Sequence, residues 1–120
     1  MTEIRNSKQY DLEERTLKFA KEVIKFVRDL SKTIANIEII KQLVRASGSV
    51  GANYIEANEA LSKKDFVMRV KICRKESKES RYWLKLIEVN DESAEKQKQL
   101  LIQEATELMK IFGAILEKTK

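Results

Sequence analysis

Residues 46–54, ASGSVGANY, hold two of the three glycines of this 120-residue chain, together with two serines. Three interpretations compete: a phosphate-binding loop, a linker that divides the chain, or a helix whose small side chains allow close packing. Apolar and small side chains recur at three- and four-residue steps from Ile40 to Leu61, and the repeat passes through Gly48 and Gly51 without losing phase. A linker would interrupt that repeat, so the stretch is predicted to be helical.

The residues that follow the glycines argue against a phosphate-binding loop. Such a loop follows a strand and carries Lys-Ser or Lys-Thr after its glycines, whereas here the preceding segment is helical and Ala52-Asn53 follows. A glycine costs about 0.5–1 kcal/mol relative to alanine in a helix, so a helix with two of them is expected to gain from close packing. At about 100° per residue, Ser47 and Gly51 face the core, and Ser49 faces away with Ala52 and Asn53.

Three further segments carry the pattern of an amphipathic helix, at residues 11–32, 66–87 and 101–116. Breaks fall at residues 33–36, at Ser62 and at residues 90–93, and Asn36 and Ser62 are predicted to cap the helices that follow. We expect an all-α protein with an up-down-up-down antiparallel four-helix bundle as its single domain over residues 11–120. Residues 1–10 lack periodicity and are predicted to be a loose tail.

The composition limits the class of protein and its location. The chain has a net charge of +5, which favours anionic partners only weakly. Its N-terminus carries no secretory-signal pattern, and no segment approaches the roughly 18 apolar residues of a membrane span. One cysteine, which rules out a disulfide within the chain, suggests a reducing compartment. We therefore expect a cytoplasmic protein without a membrane partner.

The chain lacks residues that most catalytic and metal-binding sites require. The chain has no histidine, which excludes His-based triads and His-ligated metals. Cys73 lies on the apolar stripe and is predicted to be a buried small hydrophobe. Glu76 and Glu79 have a spacing seen at bundle metal sites, but no histidine completes the pattern, so they are expected to pair with Arg45 or Arg69. We expect no enzyme, no cofactor, no metal and no small-molecule substrate.

The basic residues concentrate on the third helix. Between Ser62 and Lys85 there are nine Lys or Arg against three Asp or Glu. A lysine is repeated every seven residues, at Lys64, Lys71, Lys78 and Lys85. This stripe matches a footprint for a phosphate backbone, although a solvated face that keeps proteins apart in solution has the same pattern. The predicted nucleic-acid-binding residues are Lys64, Lys71, Arg74, Lys75, Lys78 and Lys85.

Apolar residues on another side of the third helix indicate a second contact. Met68, Ile72 and Trp83 lie about a third of a turn from the core stripe, on the side away from the lysines. Trp83 either covers the edge of the core or is buried by a neighbouring subunit. In the second case, the small outer face of the second helix is the surface that would receive such residues from a neighbouring subunit. The predicted oligomer interface comprises Arg45, Ser49, Ala52, Asn53, Glu56, Met68, Ile72, Glu76, Glu79 and Trp83.

The run from Gln42 to Ile87, QLVRASGSVGANYIEANEALSKKDFVMRVKICRKESKESRYWLKLI, resembles bacterial four-helix-bundle proteins encoded by intervening sequences in 23S ribosomal RNA genes. The residues that carry the resemblance are Arg45, Ser47, Val50, Ala52, Asn53, Glu56, Ala57, Ser62, Phe66, Lys75, Glu76, Glu79, Ser80, Tyr82, Trp83 and Leu84. Members of this family form homopentamers. A distant relative, the accessory variability determinant of diversity-generating retroelements, is a basic pentamer that associates with a reverse transcriptase and nucleic acid.

The resemblance implies that the bundle assembles as a homo-oligomeric ring, a pentamer. With the lysine stripe, it leads us to expect a non-enzymatic protein that binds nucleic acid without sequence preference, RNA ahead of DNA. The alternative is a ring-shaped scaffold that recruits a protein partner and has no nucleic-acid role. The direction of the lysines in the assembled ring separates the two hypotheses.

Overall fold

The computed structural model describes the backbone of residues 3–120 and the side chains of residues 11–120. Its four helices are α1 (Glu3–Arg28), α2 (Ile34–Asn58), α3 (Lys63–Leu86) and α4 (Glu92–Lys118). No strand occurs in residues 3–120, and the helices form a bundle of 48 × 24 × 19 Å. The prediction of an all-α four-helix bundle is confirmed.

Each helix packs against two others. Helix α1 contacts α2 and α4, and α3 contacts the same two helices from the other side of the bundle. The apolar stripes of all four helices therefore meet in one core. The largest fully buried side chains in this core include Phe19, Val23, Leu43, Val50, Val70, Leu84, Leu108 and Phe112.

Side-chain oxygens cap three of the helices at their N-termini. Thr33 Oγ1, Ser62 Oγ and Asp91 Oδ1 each accept a hydrogen bond from the backbone N–H three residues later, at 3.1, 3.1 and 2.8 Å. These bonds satisfy backbone donors that a helix leaves free at its start. The predicted cap at Ser62 is confirmed.

The predicted cap at Asn36 is wrong, because α2 begins at Ile34 with Thr33 as its cap. Asn36 is instead buried within the first turn. Its side-chain amide donates to the carbonyl oxygens of Ser31 and Glu88, both at 3.1 Å. The asparagine thus ties the α1–α2 connection to the end of α3.

The N-terminal segment, residues 1–10, is the part predicted to be a loose tail. Residues 1–2 lie outside the described residues, and the backbone of residues 3–10 continues α1. Helix propagation gains one backbone hydrogen bond per residue and does not require an apolar partner. No glycine or proline occurs in residues 3–10 to interrupt it.

Helix α2 runs without a break through the two glycines, as the periodicity predicted. Neither glycine has a positive φ angle, so the backbone there is ordinary helix. Over the residues described, none of the four helices is both long enough and apolar enough to cross a membrane.

Candidate nucleic-acid interface

The six predicted nucleic-acid-binding side chains are all exposed on α3. We call this surface the basic face; it comprises Lys64, Lys71, Arg74, Lys75, Lys78 and Lys85. At a rise of 1.5 Å per residue, the row from Lys64 to Lys85 spans about 30 Å. An ideal helix drifts about 20° per heptad, so the row turns by about 60° around α3. A strand several nucleotides long could follow it.

Little acidic charge offsets the basic face. Among the described side chains, the one member within ion-pair distance of a carboxylate is Lys75, whose Nζ lies 4.0 Å from Glu79 Oε2. An exposed pair of this kind contributes well under about 1 kcal/mol and releases its lysine readily. The basic face therefore keeps most of its positive charge available to an anion.

These side chains point outward because the opposite side of α3 is buried in the core of the bundle. Val70, Cys73, Ser77 and Leu84 are completely buried there. Ser77 Oγ donates to the carbonyl oxygen of Cys73 at 2.8 Å, so this polar group is satisfied within α3 itself. A small, satisfied side chain at this position lets α3 lie deep in the bundle, and the basic face is left in solvent.

The ten predicted interface residues lie on α2 and α3, and we call this surface the α2/α3 face. Four of them are exposed, Arg45, Ala52, Glu56 and Met68; Ser49, Asn53, Ile72, Glu79 and Trp83 are half-buried, and Glu76 is buried. Asn53 already has partners within the chain. It donates to Ser49 Oγ at 2.9 Å and accepts from Arg69 Nη1 at 2.9 Å, which joins α2 to α3.

The expected pairing of Glu76 and Glu79 with Arg45 or Arg69 is wrong within the chain. Arg69 bonds Asn53, and Glu79 lies next to Lys75. Asn53, on the neighbouring helix α2, is the acceptor that Arg69 reaches instead of either carboxylate.

Two buried polar atoms of the α2/α3 face have no hydrogen-bond partner among the described residues. They are Glu76 Oε1, in a residue only 6% exposed, and Trp83 Nε1. A buried polar group left unpaired costs about 1–3 kcal/mol. This face therefore holds one acceptor and one donor that the described residues leave unpaired.

Tyr82 is a surface aromatic residue that the predicted site omitted. It is 58% exposed, and its ring packs edge-to-face on Trp83 with centroids 5.0 Å apart. The sequence does carry a signal for it: Tyr82 comes four residues after Lys78 and three before Lys85, which places it on their side of the helix.

A groove of about 700 Å³ between α1 and α4 was also missed. Phe19, Leu100 and Leu101 provide its apolar surface, and charged side chains surround them. Arg15 closes one side through a bidentate pair with Glu104, at 2.7 and 3.0 Å. The hydrogen bonds from Arg15 to Glu104 raise the pKa of the arginine above its ordinary value, and Glu107 adds to this effect.

Cys73 lies in the core, as predicted. Its thiol is completely buried and donates to the carbonyl oxygen of Val50 at 3.4 Å. Burial raises the pKa of the thiol to about 12, so it is uncharged at neutral pH and a weak nucleophile. In the described part of the chain, no three Cys, Asp or Glu side chains are grouped so as to hold a metal ion.

A family model described as 23S rRNA-intervening sequence protein matches residues 8–114. The crystal structure of a protein of unknown function from the S23 ribosomal protein family of Bacteroides thetaiotaomicron VPI-5482 is similar to the chain. The two are 28% identical, the match covers 87% of this chain and 96% of that one, and the TM-score is 0.74. A comparison with curated proteins found no match.

Proposed function

Because the chain belongs to the 23S rRNA-intervening sequence protein family, we propose that it is a cytoplasmic, non-enzymatic, oligomeric protein that binds RNA through the basic face. The observation that carries the proposal is the row of exposed cations on α3, with one carboxylate within ion-pair distance among the described side chains. Phosphate contacts hold a strand without reading its sequence, so binding is unspecific and sensitive to salt.

An up-down-up-down topology is part of this proposal. It is supported by contacts between neighbouring helices: Glu13, in the first half of α1, accepts from the last residue of α2, Asn58, at 2.7 Å. Near the other end of the bundle, Asn36 in the first turn of α2 bonds Glu88, just beyond α3. Connections as short as residues 59–62 also favour antiparallel neighbours.

The proposed assembly is a homo-oligomeric ring formed through the α2/α3 face. Its support is the pair of buried atoms without partners, Glu76 Oε1 and Trp83 Nε1, on a face where α2 presents small side chains. A second copy would cover Met68, which is 47% exposed. The pentameric number follows from the family resemblance. In such a ring the basic face recurs in every subunit, so weak contacts act together.

The test of the function is a fluorescence titration of labelled single-stranded RNA at two or more salt concentrations. Affinity should fall with salt at a log–log slope of about −0.7 per phosphate contact, and unrelated sequences should bind equally well. The absence of binding at about 50 mM salt, where the electrostatic contribution is large, would rule the function out.

A scaffold that recruits a protein partner is the second candidate, and the α1/α4 groove favours it. Leu100, at the edge of the groove, is 67% exposed, and an exposed apolar surface of this kind is typical of a protein-binding site. The arrangement of the lysines in the ring separates the candidates. A continuous positive belt supports RNA binding, whereas lysines interspersed with acids of neighbouring subunits support the scaffold.

A further inference from the structure

We infer that Tyr82 is a stacking platform for an unpaired base, so that the basic face takes single-stranded rather than double-stranded RNA. This inference rests on the proposed function and names its substrate class. Proteins that bind single strands without sequence preference combine cations that follow the backbone with aromatic rings on which bases stack. The basic face supplies the cations, and Tyr82 supplies the ring.

The position of Tyr82 within the basic face supports the inference. On a helix, residues three and four apart are neighbours, so the ring lies between Lys78 and Lys85. Lys75, two turns earlier, lies on the same side. A strand held by these three lysines would pass close to the tyrosine.

The environment of the ring also suits a stacking role. Tyr82 is 58% exposed, which leaves much of its surface open to a planar ligand. On its inner side Trp83 packs against it with an interplanar angle of 75° and a centroid distance of 5.0 Å. This edge-to-face contact restricts the ring, so less conformational entropy is lost when a base binds.

A duplex cannot use such a platform, because its bases are stacked on one another inside the helix. Double-stranded RNA is recognised mainly through its shape, its 2′-hydroxyls and its phosphates. Lysines alone would bind duplex and single strand alike. The tyrosine is therefore the feature of this face that distinguishes the two.

The experiment compares the full-length protein with Tyr82→Ala, Tyr82→Leu and Tyr82→Phe in fluorescence titrations. The probes are a labelled single-stranded oligoribonucleotide, a duplex of the same length, and an abasic strand with the same number of phosphates. We expect Tyr82→Ala and Tyr82→Leu to weaken binding of the base-containing strand about tenfold, with no change for the abasic strand or the duplex. Tyr82→Phe keeps the ring and should bind as the unmodified protein does.

Equal binding of the single strand by Tyr82→Ala and the unmodified protein would overturn the inference and leave RNA binding itself intact. A failure of the unmodified protein to bind any probe would overturn the proposed function as well. Since Tyr82 touches Trp83, cross-linking of a 4-thiouridine strand to the unmodified protein gives a second readout. A cross-link at Tyr82 supports the inference, and cross-links confined to other parts of the chain contradict it.

Discussion

Thr16 of α1 packs so closely against Gly51 of α2 that little room is left for a methyl group there. An ideal Cβ on Gly51 would lie 3.0 Å from Thr16 Oγ1 and 3.3 Å from Thr16 Cβ. Thr16 is almost completely buried, and its hydroxyl donates to the carbonyl oxygens of Leu12 and Glu13 at 2.9 and 3.0 Å. The threonine is therefore fixed, and the missing side chain at Gly51 is what allows α1 and α2 to approach.

The two glycines of α2 should consequently respond to alanine in opposite ways. Nothing lies within 4 Å of a Cβ at Gly48, so Gly48→Ala should stabilise the protein by about 0.5–1 kcal/mol through helix propensity. Gly51→Ala gains the same propensity, but its methyl group must push the buried Thr16 away by a few tenths of an ångström, and we expect a net loss of about 1 kcal/mol. Denaturant titration at a fixed protein concentration measures both. Equal stabilisation by the two variants would contradict this account of α1–α2 packing.

Arg15 should contribute to stability through its pair with Glu104. The bidentate geometry is favourable, but the arginine side chain is 38% exposed, so we expect Arg15→Ala to cost only about 0.5–1 kcal/mol. The loss should shrink at high salt, because ions screen a partly exposed pair. Lys25→Ala is the control, since Lys25 lies 3.9 Å from Glu22 on an exposed side of α1 and should change little. Equal effects of the two substitutions would show that the α1–α4 ion pair is not stabilising.

Cys73 should make stability fall in alkaline solution. Burial raises the pKa of its thiol from 9.0 to about 12. Between these values the unfolded chain loses a proton that the folded chain keeps, so the free energy of unfolding declines as the pH rises, by up to about 1.4 kcal/mol per pH unit.

Cys73→Ala removes this contribution, so the decline above pH 9 should be shallower in the variant than in the unmodified protein. Denaturant titrations across that range compare the two slopes. The folded protein should also react slowly with a thiol reagent at neutral pH. Rapid labelling without unfolding would mean that the thiol is not buried.

Trp83→Ala should shift the protein toward smaller oligomers while its helical circular dichroism largely persists. Trp83 is half-buried on the α2/α3 face and its Nε1 has no acceptor among the described residues, so a second copy is expected to bury it. Leu100→Ala is the matched control, because Leu100 is an exposed apolar residue at the α1/α4 groove. Sedimentation velocity distinguishes the species. If the oligomeric state of Trp83→Ala were unchanged, Trp83 would belong to the core or surface of its own subunit and not to the interface.

Features that depend on one helix could be predicted from the sequence. The Ser62 cap, the continuity of α2 and the burial of Cys73 follow from local patterns that the structure confirms. The Asn36 cap was wrong because Thr33, three residues earlier, can perform the same role. An asparagine in a helix break can also serve a tertiary contact, and periodicity does not distinguish the two.

Features that depend on the distance between helices were not predictable in this way. Close packing was predicted for both glycines, but it occurs at Gly51, against Thr16, and not at Gly48, where nothing lies within 4 Å of an added Cβ. This difference and the α1/α4 groove arise from how four stripes pack together, which a single stripe does not specify. The partner of Glu76 was misassigned for the same reason, since Asn53 takes the bond of Arg69. The spacing of Tyr82 from Lys78 predicts the side of α3 on which the tyrosine lies, but its exposure became evident only in the folded chain.

The most direct test of RNA binding by the basic face is the salt dependence of affinity in a charge-matched pair of variants. Lys71→Gln/Lys78→Gln removes two charges from the basic face, and Lys21→Gln/Lys41→Gln removes two exposed charges from α1 and α2. Titration with labelled single-stranded RNA should give weaker binding and a shallower salt slope for the first variant, by about 0.7 for each phosphate that is no longer neutralised. The second variant should keep the slope of the unmodified protein. Identical slopes in all three proteins, or no binding at about 50 mM salt, would contradict RNA binding by the basic face.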